Sequence, residues 1–322
     1  MSDPQSILGE DPAFIAILEQ VSHLAGLDKS CLVIGERGSG KEMIAERLHF
    51  LSKRWDGPCI KVNCAALTPS LLDSELFGHE AGSFTGAEGR HLGRFERADG
   101  GTLILDEIAT ARAETQEKIL RVLEYGEFER VGGAETLKVD VRVVGVTNVD
   151  LPKLAEEGLF RADLLDRLAF DVINVPPLRA RPGDVLTLAQ AFALDMTREL
   201  ERPLFPGFTH EAETALLAHR WPGNIRELKN AVERSVHRHG SLDDPLETII
   251  FDPFASPWSE EDEPTDTPDA PLPEDFRQAV DGYEKDLLTK SLAVTRHNQT
   301  EAAKRLGLGY HQFRRLLQKH GL

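Results

Sequence analysis

The stretch Gly35-Glu36-Arg37-Gly38-Ser39-Gly40-Lys41 constrains this chain most, because it fits GxxxxGK and stands between two unlike patterns. Before it runs the apolar segment CLVIG; after it comes KEMIAERLHFLSKRW, whose apolar residues recur at helical spacing. In a strand–loop–helix setting the glycines let backbone amides curl around phosphate, and the helix N-terminus adds positive potential. Lys41 then reaches the terminal phosphates. Glu42 is a departure, since most such loops place Ser or Thr there to help hold magnesium. Taken alone, the pattern is also met by a glycine-rich turn that caps an ordinary helix. A second motif has to decide.

That motif is Gly101-Thr102-Leu103-Ile104-Leu105-Asp106-Glu107, an apolar strand ending in two acids. Asp106 suits a ligand for Mg2+, directly or through water, and Glu107 suits a base that orients and deprotonates an attacking water. A second acid fits hydrolysis better than transfer to another substrate, with ATP and Mg2+ as the implied pair. Val146-Thr147-Asn148 ends a further apolar run, and open α/β sheets place their sites at the carboxyl ends of strands. Thr147 and Asn148 are therefore candidates to sense the terminal phosphate. The runs CLVIGERG, CIKVNC, GTLILDE and VRVVGVTN lack polar alternation, as strands buried on both faces do. Helical stretches such as AETQEKILRVLEYG separate them. The predicted fold class is α/β, a P-loop NTPase whose parallel sheet carries helices on both faces.

From about Pro176 helical patterns replace the strand-like runs, which predicts an α/β part over 1–175 and a helical lid subdomain over 176–251. Residues 252–275 are rich in proline and acid and nearly free of aliphatic side chains. They cannot bury enough surface to order themselves and read as a linker. The net charge of −17 divides unevenly: −13 over 1–251, −9 over 252–275 and +5 over 276–322. An acidic body joined to a basic tail fits a protein in which the tail alone touches phosphate. No stretch approaches the ~20 apolar residues of a membrane span, and the N-terminus has no basic start before an apolar run. Cys31, Cys59 and Cys64 show no CxxC spacing. A cytoplasmic location with reduced thiols is expected.

The tail has its own pattern. Residues 276–292 repeat as one amphipathic helix. Asn298-Gln299-Thr300-Glu301 offers an N-cap with Glu three residues on. AAKRLG continues that helix, Leu308-Gly309 turns, and YHQFRRLLQKH completes a second one, as in a helix-turn-helix. Phe313, Leu316 and Leu317 should pack inward, which leaves Tyr310, His311, Arg314 and Arg315 for double-stranded DNA. Lys304, Arg305 and Lys319 are expected nearer phosphates. A basic helical hairpin for protein contact is the alternative.

GERGSGKE, GTLILDE and VTN in this order resemble the AAA+ core. Together with Glu42, ELFGHEAGSFTGA at 75–87, FRADLLDRL at 160–168 and WPGNIREL at 221–228, they resemble the sigma-54-dependent activators, or bacterial enhancer-binding proteins. The resemblance implies an ATPase that works as a homo-hexameric ring on sigma-54 RNA polymerase, tethered to enhancer DNA by a Fis-like domain at 276–322. Gly82-Ser83-Phe84-Thr85-Gly86-Ala87 matches the loop that engages sigma-54, with Ser83 where alanine is usual. Glycines at both ends of that loop permit large swings; the other reading is a surface turn with Phe84 folded into the core. Arg161 and Arg167 match the arginine fingers offered to a neighbouring subunit's nucleotide. Surface pairing with Asp163 or Asp166 is the alternative for each. The resemblance also makes Arg226 a cis-acting sensor and Asn63 the residue that restrains the catalytic glutamate.

Within this family the nearest resemblance is to the phage-shock branch, where a separate inhibitor, PspA, binds the ATPase domain. Trp55, among charges after an amphipathic helix, is a candidate inhibitor contact or else a core-closing side chain. No receiver-like pattern precedes residue 7, so control by phosphorylation of an attached domain is not expected. Two rivals stay open: a DNA-binding regulator in which nucleotide only stabilises assembly, and an AAA+ motor acting directly on DNA. Asp106 and Glu107 argue against the first. Against the second, a DNA-threading loop would be expected to carry Lys or Arg where this one carries Phe84 and Thr85.

Overall fold

A computed structural model describes residues 7–83, 89–240, 243–254, 276–295 and 298–321. The chain forms two compact units, Met1–Phe254 and Ala255–Leu322. In the first, Asp11 caps α1 (Pro12–Ala25) by accepting from the Ala13 amide, with proline at the first helical position, where its missing N–H costs nothing. Strand β1 (Cys31–Ile34), α2 (Lys41–Phe50) and β2 (Cys59–Asn63) follow. Next come α3 (Pro69–Phe77), α4 (Arg94–Arg97) and β3 (Thr102–Asp106). Helix α5 (Ala113–Tyr125) stops at Gly126, which adopts a left-handed φ of 68°. A hairpin of β4 (Glu127–Glu129) and β5 (Thr136–Lys138) leads to β6 (Arg142–Thr147), α6 (Leu151–Glu156), α7 (Ala162–Leu168) and β7 (Val172–Asn174).

The main sheet is parallel, with strand order β2-β3-β6-β1-β7. The inner strands β1, β3 and β6 are buried on both faces, as their unbroken apolar runs predict, while the edge strands β2 and β7 are only partly buried. Along β3, Leu103 and Leu105 join one core with Leu32, Phe77 and Phe95, while Ile104 joins a second with Val33, Ile44 and Val146. Register aligns the strand ends: Asn63 pairs with Asp106, Asp106 with Val146, and Ile34 with Thr147. The candidate residues therefore share one sheet edge. The β4–β5 hairpin is absent from the sequence-based reading. Its strands are three residues each with mostly exposed or half-buried side chains, so no apolar run marks them.

Three helices complete this unit: α8 (Gly183–Glu199), α9 (His210–Ala218) and α10 (Asn224–Arg238). They enclose a separate core around Leu188, Leu216, Trp221, Leu228 and Val232. Trp221 is buried there and its Nε1 donates to the Leu216 carbonyl at 2.9 Å, so its one polar atom is satisfied.

The second unit consists of α11 (Phe276–Val294), α12 (Gln299–Arg305) and α13 (Tyr310–His320) around Leu288, Ala302, Ala303, Phe313 and Leu317. Asn298 caps α12 by accepting from the Glu301 amide at 3.3 Å. Lys319 lies against α11, where its Nζ bonds Asp281 at 2.7 Å and Glu284 at 2.8 Å while the side chain stays about half exposed, so contact with phosphate would have to compete with this surface ion pair. The predicted linker falls, apart from 252–254, outside the described residues.

Candidate active site

The P-loop runs from the end of β1 to the start of α2. Gly38 and Gly40 take φ values of 75° and 99°, which side chains with a Cβ rarely adopt. Gly38 has a second reason to be glycine: a Cβ there would lie 2.4 Å from the Gly223 carbonyl of the lid. Lys41 is only 7% exposed, and its Nζ donates to the Glu36 carbonyl at 2.9 Å. Burial pushes its pKa down, opposed by Glu107 and Asp106.

Across the sheet edge stand Asp106 and Glu107. Burial raises the Asp106 pKa, and the Glu107 amide, donating to its Oδ1 at 3.1 Å, works in the opposite direction. Glu107 itself has a φ of 51°, a left-handed backbone at a strand end. For a non-glycine residue this costs on the order of 1–3 kcal/mol, and such strain clusters at functional sites. Asn63 is fixed by accepting from the amides of Ala65 and Ala66, and its Nδ2 donates to Asp106 Oδ2 at 3.2 Å. In this conformation its partner is Asp106 and not Glu107. Thr147 is fully buried, with its hydroxyl accepting from the Val149 amide at 3.2 Å, whereas Asn148 lines the cleft.

Lid and P-loop form one cleft of about 1150 Å³, bordered by Lys41, Asp106, Glu107, Asn148, Ile225 and Arg226. The Ile225 amide donates to the Gly38 carbonyl at 3.0 Å. Asn224 Nδ2 donates to Glu36 Oε2 at 3.1 Å and to the Arg37 carbonyl at 3.0 Å. The Arg179 guanidinium grips the Glu36 carboxylate from the other side. Chiefly through Arg179, then Asn224, the Glu36 pKa is held down at about 2. Glu42, which also lines the cleft, accepts from Lys61 Nζ at 2.8 Å. Half-buried Asp106, with its hard oxygens beside the P-loop, fits a ligand for Mg2+.

Arg161 and Arg167 lie apart from the cleft lining. Arg161 N-caps α7 and chelates Asp163, with Nη2 2.7 Å from Oδ2, while Arg167 Nε donates to Glu124 Oε1 at 3.0 Å. Both remain partly exposed. Gly82 and Ser83 end a stalk in which His79 and His91 exchange backbone hydrogen bonds at 3.1 and 2.9 Å. Phe84, Thr85, Gly86 and Ala87 lie outside the described residues. Trp55 is 65% exposed, which corrects the core-closing alternative, and Phe50 and Leu51 are exposed just before it. On α13, Phe313 and Leu317 are buried while Tyr310, His311, Arg314 and Arg315 face solvent.

The model of the sigma-54 interaction domain matches residues 7–174, an AAA+ ATPase lid domain matches 179–245, and the Fis family of bacterial regulatory proteins matches 281–320. The chain belongs to the sigma-54-dependent activators. The Psp operon transcriptional activator of Escherichia coli (strain K12) is 61% identical over 319 residues, covering 98% of each chain. The transcriptional regulatory protein ZraR of Klebsiella oxytoca is 43% identical over 304 residues, covering 94% of this chain and 66% of that one. The crystal structure of NtrX from Brucella abortus in complex with ATP is 32% identical with a TM-score of 0.70, covering 98% of this chain and 70% of that one.

This sigma-54-dependent activator is accordingly an AAA+ ATPase that binds ATP, with a sigma-54 interaction domain and a Fis-type helix-turn-helix. The sequence alone names the P-loop, the paired acids and Arg226, which the structure brings to one cleft, but not Arg179 and Asn224, which hold the P-loop to the lid. Asn224 opens α10 directly after the turn that Pro222-Gly223 signals, but no local signal ties it or Arg179 to Glu36, more than a hundred residues away in sequence. Among the described residues no helix is long and apolar enough to cross a membrane.

Proposed function

We propose that the chain binds enhancer DNA through α13 and uses ATP hydrolysis to convert the sigma-54 polymerase closed complex into an open one. The observation that carries this reading is the joint presence of the strained Asp106-Glu107 strand end facing Lys41 and a basic helix-turn-helix in one chain. The working parts are taken as 1–175 for the ATPase body, 176–251 for its lid, 252–275 for the tether and 276–322 for DNA. Residues 35–42 would cradle the phosphates. Lys41, which now donates to the Glu36 carbonyl, would exchange that contact for the phosphates. Asp106 would hold Mg2+, which when bound neutralises charge on the phosphates. Glu107 would take the proton of the attacking water, while Asn148 and Arg226 contact the terminal phosphate from body and lid.

In a homo-hexameric ring, Arg161 and Arg167 would reach a neighbour's nucleotide, which requires release from Asp163 and Glu124. Partial exposure of both guanidiniums supports this, since surface ion pairs are worth only about 0–1 kcal/mol. The 82–87 loop would carry the resulting motion to sigma-54. The relative named for the Psp operon supports action at phage-shock promoters in the cytoplasm. Exposed Phe50, Leu51 and Trp55 together support an apolar contact with PspA.

The decisive assay is ATP-dependent open-complex formation by purified sigma-54 polymerase, with intact protein beside Thr85→Ala. The expected outcome is opening by intact protein only, while the variant still hydrolyses ATP. Hydrolysis by intact protein without opening would favour a DNA motor instead.

A further inference from the structure

One more side chain joins lid to P-loop, and it is completely buried. Arg181, just before α8, is 0% exposed, and its Nη2 donates to the Ser39 carbonyl of the P-loop at 2.8 Å. Its Nη1 lies 3.7 Å from Oδ2 of Asp184, also 0% exposed, and the guanidinium sits 4.5 Å over the Phe14 ring. Asp184 Oδ1 accepts from the backbone amides of Glu10 at 2.6 Å and Asp11 at 2.9 Å. Asp11 Oδ2 in turn accepts from the Gly183 amide at 3.2 Å. Three separate pieces of chain thus converge here: the strap before α1, the P-loop and the first turn of the lid.

Stability is a poor account of this pair. Exchanging a buried ion pair for apolar side chains is often neutral or stabilising, and unmatched buried polar atoms add further cost. Arg181 Nε, Asp184 Oδ2 and Ser39 Oγ are all buried without a hydrogen-bond partner. Location gives a better account, because Ile7, Leu8, Phe14, Ser39 and Arg181 line the same cleft as Lys41.

We propose that Arg181 and Asp184 are nucleotide-positioning residues, fixing the Ser39 carbonyl and the Glu10–Asp11 strap to the lid so that the two sides of the cleft keep one spacing. The inference rests on this cleft being the nucleotide site. Neither side chain touches a reacting atom. Lys41 and Glu107 are carried by α2 and the end of β3, so disturbing the tie should weaken binding and spare chemistry.

The test uses the full chain and a fluorescent ADP analogue, with thermal melting and steady-state ATPase alongside. Asp184→Asn and Arg181→Ala should weaken analogue binding about tenfold and raise KM to match, with kcat within about twofold. Arg181→Lys, which keeps the charge, should recover part of the affinity. Should the buried variants fail to fold, Gly9→Ala carries the test. A Cβ there would lie 2.4 Å from Phe14 Cδ1 and 2.8 Å from Asp184 Oδ2, displacing the strap without removing a buried charge. It should weaken binding while melting near the parent protein in the absence of nucleotide. Variants that melt lower yet bind the analogue normally would overturn the proposal. Lys41→Ala separates the two layers. If it leaves binding intact, the cleft is not the nucleotide site; if it alone abolishes binding, only the tie is wrong.

Discussion

The cleft and helix α13 deploy positive charge in opposite ways. In the cleft Lys41 and Arg181 are buried, and each is held by a P-loop carbonyl. On α13, Arg314 and Arg315 stand exposed on a helix anchored by the apolar side chains beneath it and, at its far end, by Lys319 and His320 bonding α11. Buried charge demands partners from every element around it, because desolvation without them costs several kcal/mol. An exposed cation needs only a helix to present it. The first kind of site is preorganised and intolerant of change; the second gains its geometry from the ligand it meets.

The sharpest way to break this comparison is to ask whether the cleft is self-sufficient. The account holds that it is not, because Arg161 and Arg167 lie outside its lining. Arg161→Ala or Arg167→Ala should lower the ATPase rate by a factor on the order of 10³ with nucleotide binding intact, following the size of trans-arginine effects in other NTPases. A rate within a few-fold of the parent for both variants would make the cleft complete by itself and the ring unnecessary.

Next in size is the independence of the two units. Phe313→Ala removes the fully buried ring at the centre of the small core, a change that costs about 3–5 kcal/mol. Loss of DNA binding in a mobility-shift assay is expected, with the ATPase rate of the same protein nearly unchanged. Within the DNA unit, Arg314→Ala should cost about 1–3 kcal/mol of DNA affinity by fluorescence anisotropy. Lys319→Ala should cost clearly less, because Asp281 and Glu284 already engage that ammonium. Equal losses would mean that the ion pair opens on DNA.

The smallest effect concerns Glu36. Its pKa is depressed in the folded state, so the stability it contributes is present above its ordinary value of 4.5 and lost as pH falls toward about 2. Melting temperature should decline over that window, and Glu36→Gln should flatten the decline slightly. An unchanged acid limb would show that the Arg179 contact adds nothing to the fold.

Legibility in the sequence follows the same divide. β3 is an unbroken apolar run buried on both faces and α13 carries its apolar residues at helical spacing, so the strand ending in Asp106 and the exposed face of α13 could be read directly. The P-loop was legible because its glycines answer to backbone geometry that no other residue supplies at low cost. Arg179, Arg181, Asp184 and Asn224 could not be read, since their partners are set by how the lid turns back on the sheet. Asn63 shows the limit from the other side: its place beside the acids was foreseen, but its partner in this conformation is Asp106. Register between neighbouring strands, which brings Asn63 level with Asp106, is not written in either strand alone.

The central claim is that the strained end of β3 is the hydrolytic centre. Glu107→Gln tests it most directly, in a single-turnover ATP hydrolysis assay run beside analogue binding. The account predicts unchanged nucleotide affinity and hydrolysis slowed by about 10²–10⁴-fold, the usual worth of a general base. Hydrolysis at the parent rate, with nucleotide bound normally, would contradict it and move the base to another residue of the cleft.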